Sequence, residues 1–152
     1  MSEKPRVLII EARFYEDIAD ELAKGAAAVL DEAGIAYERH AVPGVFETPA
    51  AVHFAIRSME MGAVKYSGVI VLGCVIRGET DHYEYISSSA VQALMNLTVS
   101  YSIALGFGVL TCENYEQARE RAAVDRKNIG ARAAMTCLRM MDLKKDFHLV
   151  IR

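Results

Sequence analysis

The segment Gly73-Cys-Val-Ile-Arg-Gly-Glu-Thr-Asp-His-Tyr-Glu-Tyr85 sets an arginine, a threonine, a histidine, three carboxylates and two phenols directly behind the apolar run Gly68-Val-Ile-Val-Leu72. Within it, Arg77-Gly-Glu-Thr-Asp-His82 leads into a helical pattern. Backbone N–H groups and the Thr80 hydroxyl can face an anion there, where the helix dipole favours negative charge. Gly78 lets the backbone come close to such a ligand. The segment matches neither a Walker loop nor the dinucleotide Gly-x-Gly-x-x-Gly pattern, and an ordinary capped helix start, with Thr80 or Asp81 as the cap, accounts for the same residues. His82 offers an imidazole that titrates near neutrality, so it is either a candidate acid or base or a structural histidine. Phe14 and Phe46 fall in loops rather than at periodic core positions; they either offer a flat face to a planar ring or pack beneath those loops. Arg121, with Glu113, Glu116 and Glu120 nearby, reads by itself as a solvated helix charge. His40, His53 and His148 belong to no chemical pattern.

The elements that must position these residues alternate in type. Val7-Leu-Ile-Ile10, the alternating stretch 36–42, Val69-Ile-Val-Leu72 and Phe107-Gly-Val-Leu-Thr111 have the length and composition of strands. Between them, Ile18, Leu22, Ala26, Val29 and Leu30 recur at helical spacing until Gly34, and further helices are predicted over 49–61 and 83–105. Two more, over 115–123 and 127–143, flank a bend at Val124-Asp-Arg126. Strands that are apolar on both faces and separated by helices imply a parallel sheet covered on both sides. The expected fold is a three-layer α/β/α sandwich of flavodoxin-like type with a four-stranded parallel sheet, and residues 1–152 are expected to form one domain. In such a sheet the ligand crevice lies at the carboxyl ends of the strands. The loops 11–15, 42–49, 74–82 and 111–114 converge there.

Composition narrows the classes. A chain of 152 residues that is 53% hydrophobic and 24% charged can build a packed core. A net charge of -3 gives no basic footprint for nucleic acid. The polar start Met-Ser-Glu-Lys-Pro lacks a secretory pattern, and no apolar run approaches the ~18 residues of a membrane span, so a cytoplasmic protein is expected. Cys74, Cys112 and Cys137 sit widely spaced in apolar sequence without ligand-like partners and are expected to be reduced and packed in or near the core.

Phe14-Tyr15, Val42-Pro-Gly-Val-Phe-Glu-Thr-Pro49, Gly73-Cys-Val-Ile-Arg-Gly-Glu-Thr-Asp-His82 and Phe107-Gly-Val-Leu-Thr-Cys-Glu-Asn-Tyr-Glu-Gln-Ala118 resemble, in order and spacing, the characteristic segments of the 6,7-dimethyl-8-ribityllumazine synthase family. The resemblance covers nearly the whole chain. It implies a transferase of riboflavin biosynthesis that joins 5-amino-6-(D-ribitylamino)uracil to 3,4-dihydroxy-2-butanone 4-phosphate, using no metal and no organic cofactor. By that resemblance Phe14 stacks on the pyrimidine, the backbone of Val45, Phe46, Val75 and Ile76 holds the ring edge and ribityl chain, and Glu47 accepts from the ribityl hydroxyls. Gly78, Glu79 and Thr80 hold the phosphate, His82 moves protons, and a neighbouring subunit supplies Phe107 over the ring and Arg121 as counter-charge.

Near the carboxyl end the chain departs from the family pattern. Ile129 and Arg132, in Asn128-Ile-Gly-Ala-Arg-Ala-Ala134, stand where a lysine and an acid are common, and Tyr15 stands where an asparagine is frequent. An isoleucine cannot donate to a pyrimidine oxygen as that lysine can. The departures admit a second reading, a weakly active relative retained for lumazine or flavin binding. The resemblance further implies a ring of five subunits. Met59, Met61, Met95, Met140 and Met141 add apolar bulk beyond what one small core needs, unless all five are core filler. Because the bend 122–128 lacks the glycine associated with closed shells, a free pentamer is expected first, a decamer of two stacked rings second and a sixty-subunit shell third.

Overall fold

The computed structural model of the chain describes residues 4–78 and 83–149. Strands β1 (Arg6–Ala12), β2 (Ala36–Val42), β3 (Gly68–Ile76) and β4 (Leu105–Cys112) form one sheet in the order β2-β1-β3-β4, every neighbouring pair parallel. Helices α1 (Glu16–Glu32), α4 (Tyr115–Ala122) and α5 (Ile129–Asp146) cover one face, and α2 (Thr48–Glu60) and α3 (Tyr83–Tyr101) the other. A short 3-10 turn, Val45–Glu47, precedes α2. The flavodoxin-like, three-layer α/β/α arrangement is therefore as expected.

The alternation of side chains along a strand explains the two cores. Val7 and Ile9 of β1 and Ile70 and Leu72 of β3 face α1, α4 and α5, where they meet Leu22, Ala26, Ala118 and Ala134. Leu8, Ile10, Val69 and Val71 point the other way, onto Val52 and Ile56 of α2 and Leu94 of α3. Because β1 and β3 are central, both faces are apolar and the sequence reads as an unbroken run. Helices α1 and α5 approach so closely that a Cβ on Gly130 would run into the carbonyl oxygen of Leu22. All three cysteines are free and buried, and burial pushes the Cys74 and Cys137 thiols up to about 12.

Several boundaries differ from the expected ones; β1 runs on through Glu11 and Ala12, expected as loop, and three further shifts stand out. Strand β3 continues through Cys74, Val75 and Ile76, expected as loop, because β4 pairs with it as far as Ile76 against Cys112. Helix α3 ends at Tyr101 rather than at 105: Ser102 takes a left-handed φ of 54°, its carbonyl accepts from Lys144 Nζ at 2.5 Å, and β4 begins at Leu105. Helix α5 starts at Ile129, two residues late, behind Asn128 at φ 50°.

Candidate active site

The overshoot of β3 shapes the carboxyl edge of the sheet. Its register with β1 ends at Glu11 and Leu72, whereas its register with β4 runs on to Ile76. Residues 73–76 thus have a strand neighbour only on the β4 side, and their other backbone edge faces the loops after β1 and β2. The 3-10 turn packs there. Ala12, Val45, Val75 and Ala90 form a small buried cluster that joins the end of β1, the turn, the end of β3 and α3. Gly73 permits this approach, since a Cβ at that position would lie 2.8 Å from Val45 Cγ2 and 2.9 Å from the Ala12 Cβ. Thr48, fully buried, donates from Oγ1 to the Val45 carbonyl at 2.7 Å and closes the turn.

Above that floor the predicted residues separate into buried anchors and exposed side chains. Val45, Val75 and Ile76 are buried, so what they offer a ligand is backbone. Phe14 and Phe46 are each 63% exposed, and Glu47 is half-buried at the start of α2. Neither phenylalanine is packed beneath its loop, although the Phe14 ring meets the edge of Tyr15 at a centroid distance of 4.9 Å. Gly78 is exposed and turns the chain at φ 80°. Glu79, Thr80, Asp81 and His82 lie outside the described residues.

The loops after β3 and β4 are tied together. The Arg77 N–H donates to the Cys112 carbonyl at 2.8 Å, and its guanidinium lies 3.5 Å from Glu113. Asn114 caps α4 by accepting from the Gln117 N–H at 2.9 Å, while the Gln117 side chain accepts from the Glu113 N–H at 2.9 Å. That helix start directs Arg121 back to the strand end, where Nη1 donates to the Thr111 carbonyl at 3.2 Å and lies 3.6 Å from Cys112 Sγ. The expected solvated helix charge is instead a half-buried guanidinium that pairs with no carboxylate among the described residues. Phe107 stands apart from this group. It pairs with Val71, five residues before Ile76, which puts it about 16 Å from the carboxyl edge of its own sheet.

Sequence reasoning missed an ionic group beside Phe14. Glu11, only 3% exposed, accepts from Arg39 Nε at 2.5 Å and Nη2 at 3.0 Å and from Arg13 Nη1 at 2.7 Å. Arg13 also donates to Glu16 Oε2 at 3.1 Å and to Asp20, and its backbone N–H donates to the Val42 carbonyl at 3.1 Å. Burial works against the charge on Arg13, but the hydrogen bonds to Asp20, Glu16 and Glu11 outweigh it and raise its pKa; the Arg39 pKa is raised chiefly by its bond to Glu11. The available signal was a lone carboxylate in the apolar run Leu8-Ile-Ile-Glu-Ala12, which buries only with partners. Ile129, at the position of the family's lysine, is half-buried against the core beneath α1, and Arg132 is exposed. Among the described residues no three His, Cys, Asp or Glu side chains gather as a metal ion requires, and no helix is long and apolar enough to cross a membrane.

Residues 4–145 match the family model of 6,7-dimethyl-8-ribityllumazine synthase. The chain is 51% identical over 147 residues to the 6,7-dimethyl-8-ribityllumazine synthase of Bartonella tribocorum, covering 97% of this chain and 95% of that one. It is 47% identical over 146 residues to the protein of the same name from Paramagnetospirillum magneticum, covering 95% and 97%. A third protein of that name, from Agrobacterium fabrum, is 46% identical over 142 residues, covering 93% and 96%.

Proposed function

The chain belongs to the 6,7-dimethyl-8-ribityllumazine synthase family, and from that premise we propose how its residues divide the reaction. The enzyme condenses 5-amino-6-(D-ribitylamino)uracil with 3,4-dihydroxy-2-butanone 4-phosphate to give 6,7-dimethyl-8-ribityllumazine, phosphate and water, the penultimate step of riboflavin biosynthesis. Imine formation between the amine and the ketone, loss of phosphate and ring closure all need proton transfers and no redox step. Holding two reactants in register contributes most, an effect worth about 7–11 kcal/mol in well-aligned systems. A positioned imidazole adds roughly 100- to 10,000-fold.

The observation that carries the assignment is the free backbone edge of β3 at 73–76, bordered by exposed Phe14 and Phe46 and by Glu47. On this reading Phe14 stacks on the pyrimidine; backbone groups of Val45, Phe46, Val75 and Ile76 hold the ring edge and ribityl chain; Glu47 accepts from the ribityl hydroxyls. Gly78, Glu79 and Thr80 hold the phosphate and His82 transfers protons. Arg121 and Phe107 act on the site of a neighbouring subunit. For Phe107 this is supported by its exposure and its distance from its own sheet's carboxyl edge; for Arg121 the support is for the phosphate role alone, a guanidinium that pairs with no carboxylate among the described residues.

Assembly follows from the same reading. Val91, Met95 and Val99, at i, i+4 and i+8, line an exposed stripe on α3, with Phe54 and Phe107 also exposed on that side of the sheet. Of the five methionines, Met61, Met95 and Met140 are exposed, Met59 is half-buried and Met141 is buried. An apolar surface of this kind supports a homopentamer, with the stacked decamer second and the larger shell third. Residues 1–152 are taken as one domain, and three free buried thiols suit a reducing cytoplasm.

The deciding experiment mixes purified protein with both substrates in the presence of a chelator and follows lumazine absorbance and fluorescence. Product above the uncatalysed rate is expected. Its absence at enzyme concentrations comparable to substrate leaves a lumazine- or flavin-binding protein.

A further inference from the structure

We propose that Arg13 is a positioning residue for the ring-binding half of the site, holding Phe14 through a clamp that joins three segments of the chain. The proposal rests on the reading that Phe14 stacks on the pyrimidine. Phe14 is exposed on a three-residue step, Arg13 to Tyr15, between the last buried residue of β1, Ala12, and the start of α1, and apart from Tyr15 no ring packs against it among the described residues. Its direction is therefore set by the backbone on either side of it. Arg13 fixes that backbone from both directions. Its N–H donates to the Val42 carbonyl at 3.1 Å, at the end of β2 where the chain enters the segment bearing Val45, Phe46 and Glu47. Its guanidinium reaches Glu11 on β1 and, from its other nitrogen, Glu16 and Asp20 in the first turns of α1.

A planar guanidinium spans these carboxylates in one fixed fork, which a lysine ammonium does not reproduce. Glu11 in turn is held by both donors of Arg39, so the clamp is referenced to the sheet rather than to the loop itself. The contacts of Arg13 run to the ring-binding loops; those that tie the phosphate side, from Arg77 and Arg121 to Cys112 and Thr111, do not include it. Loss of the Arg13 side chain leaves its N–H bonded to Val42 but removes the tie between Glu11 and α1, and should thus act on one substrate. Removing it does not orphan Glu11, which keeps its two bonds to Arg39, so Arg13→Ala is expected to fold.

The test is steady-state kinetics of Arg13→Ala, Arg13→Lys, Phe14→Ala and the Arg13→Ala/Phe14→Ala double variant in the assembled enzyme. Phe14→Ala should raise KM for the ribitylaminouracil about 2- to 12-fold. Arg13→Ala should raise the same KM toward that value, with KM for the butanone phosphate within about twofold of wild type, and should add nothing in the Phe14→Ala background. Arg13→Lys should rescue only part. Should Arg13→Ala assemble poorly, Asp20→Asn, which removes one exposed anchor, should move the same KM by a smaller factor. If Phe14→Ala raises the KM and Arg13→Ala and Asp20→Asn do not, the clamp is wrong and the role of Phe14 stands. If Phe14→Ala changes nothing, the stacking role fails and the clamp with it. Additive effects in the double variant, or equal rises in both KM values, overturn the proposal and leave Arg13 as a general structural anchor.

Discussion

Arg121 illustrates how much a residue's use depends on what it does not touch. Its sequence neighbours suggested a solvated helix charge, yet the Asn114 cap turns α4 so that the guanidinium meets the Thr111 carbonyl and pairs with no carboxylate among the described residues, as the phosphate role proposed above requires. Arg121→Ala should raise KM for the butanone phosphate by about 10- to 100-fold, the weight of a charge-assisted contact, with a smaller effect on the ribitylaminouracil. His82→Ala should lower kcat more than it raises either KM. The position of Ile129 answers a different question. Its side chain packs on the core beneath α1, so Ile129→Lys should lower Tm without tightening either substrate, and a gain in affinity would show that the α5 start rearranges on binding. The cysteines were legible as apolar core from their neighbours alone, and their burial has a pH consequence. The Cys74 and Cys137 thiols ionise near 9 when unfolded but are pushed up to about 12 when folded, so the folded state retains protons that the unfolded state loses. Stability is then fully present below pH 9 and falls above it, by on the order of 1 kcal/mol per thiol per pH unit. Lys144, whose pKa is lowered by burial, works in the opposite direction, adding stability as pH rises toward its unfolded value. Denaturant titrations at pH 8 and 10.5 read the net effect, and a rise at the higher pH would contradict the thiol assignment.

Among the elements, strand and helix identities were legible because period and length separate them, and their boundaries were not. Nothing in Cys74-Val-Ile76 distinguishes a strand end from an apolar loop; the difference comes from β4, which extends the ladder, and from Gly73, which admits Val45. That boundary matters more than its length suggests, because it replaces an irregular loop with a rigid backbone edge. Gly130 shows the same dependence on a distant element. Its sequence neighbours give no sign that the Leu22 carbonyl of α1 presses against it, and its tightness is visible only once α1 and α5 are docked. Gly130→Ala should cost about 1–3 kcal/mol, at the upper end because the obstruction is backbone and cannot rotate away. Chemical denaturation measures this directly. A neutral or stabilising result would mean that the two helices slide apart at no cost.

For the whole molecule, the apolar residues left outside the two cores are the surface that the proposed assembly would have to cover. Only Ala90 and Leu94 of α3 are fully buried, while Val91, Met95 and Val99 are presented outward. Light scattering at micromolar protein should give a mass near 84 kDa, five chains of 16.7 kDa each. Met95→Glu should dissociate the assembly and abolish product formation together, since a charge buried without a partner at such a contact is strongly unfavourable. Assembly that survives this change would move the interface elsewhere. The remoteness of Phe107 from its own sheet edge also has a genetic meaning. When a complete site takes Phe14 from one chain and Phe107 from the next, damage to the two positions is separable between alleles. Chains carrying Phe14→Ala and chains carrying Phe107→Ala, expressed together in equal amounts, assemble rings in which about a quarter of the sites meet two undamaged partners. A riboflavin-requiring host that grows poorly on either allele should then grow better on both, which no enzyme with its whole site in one chain would allow.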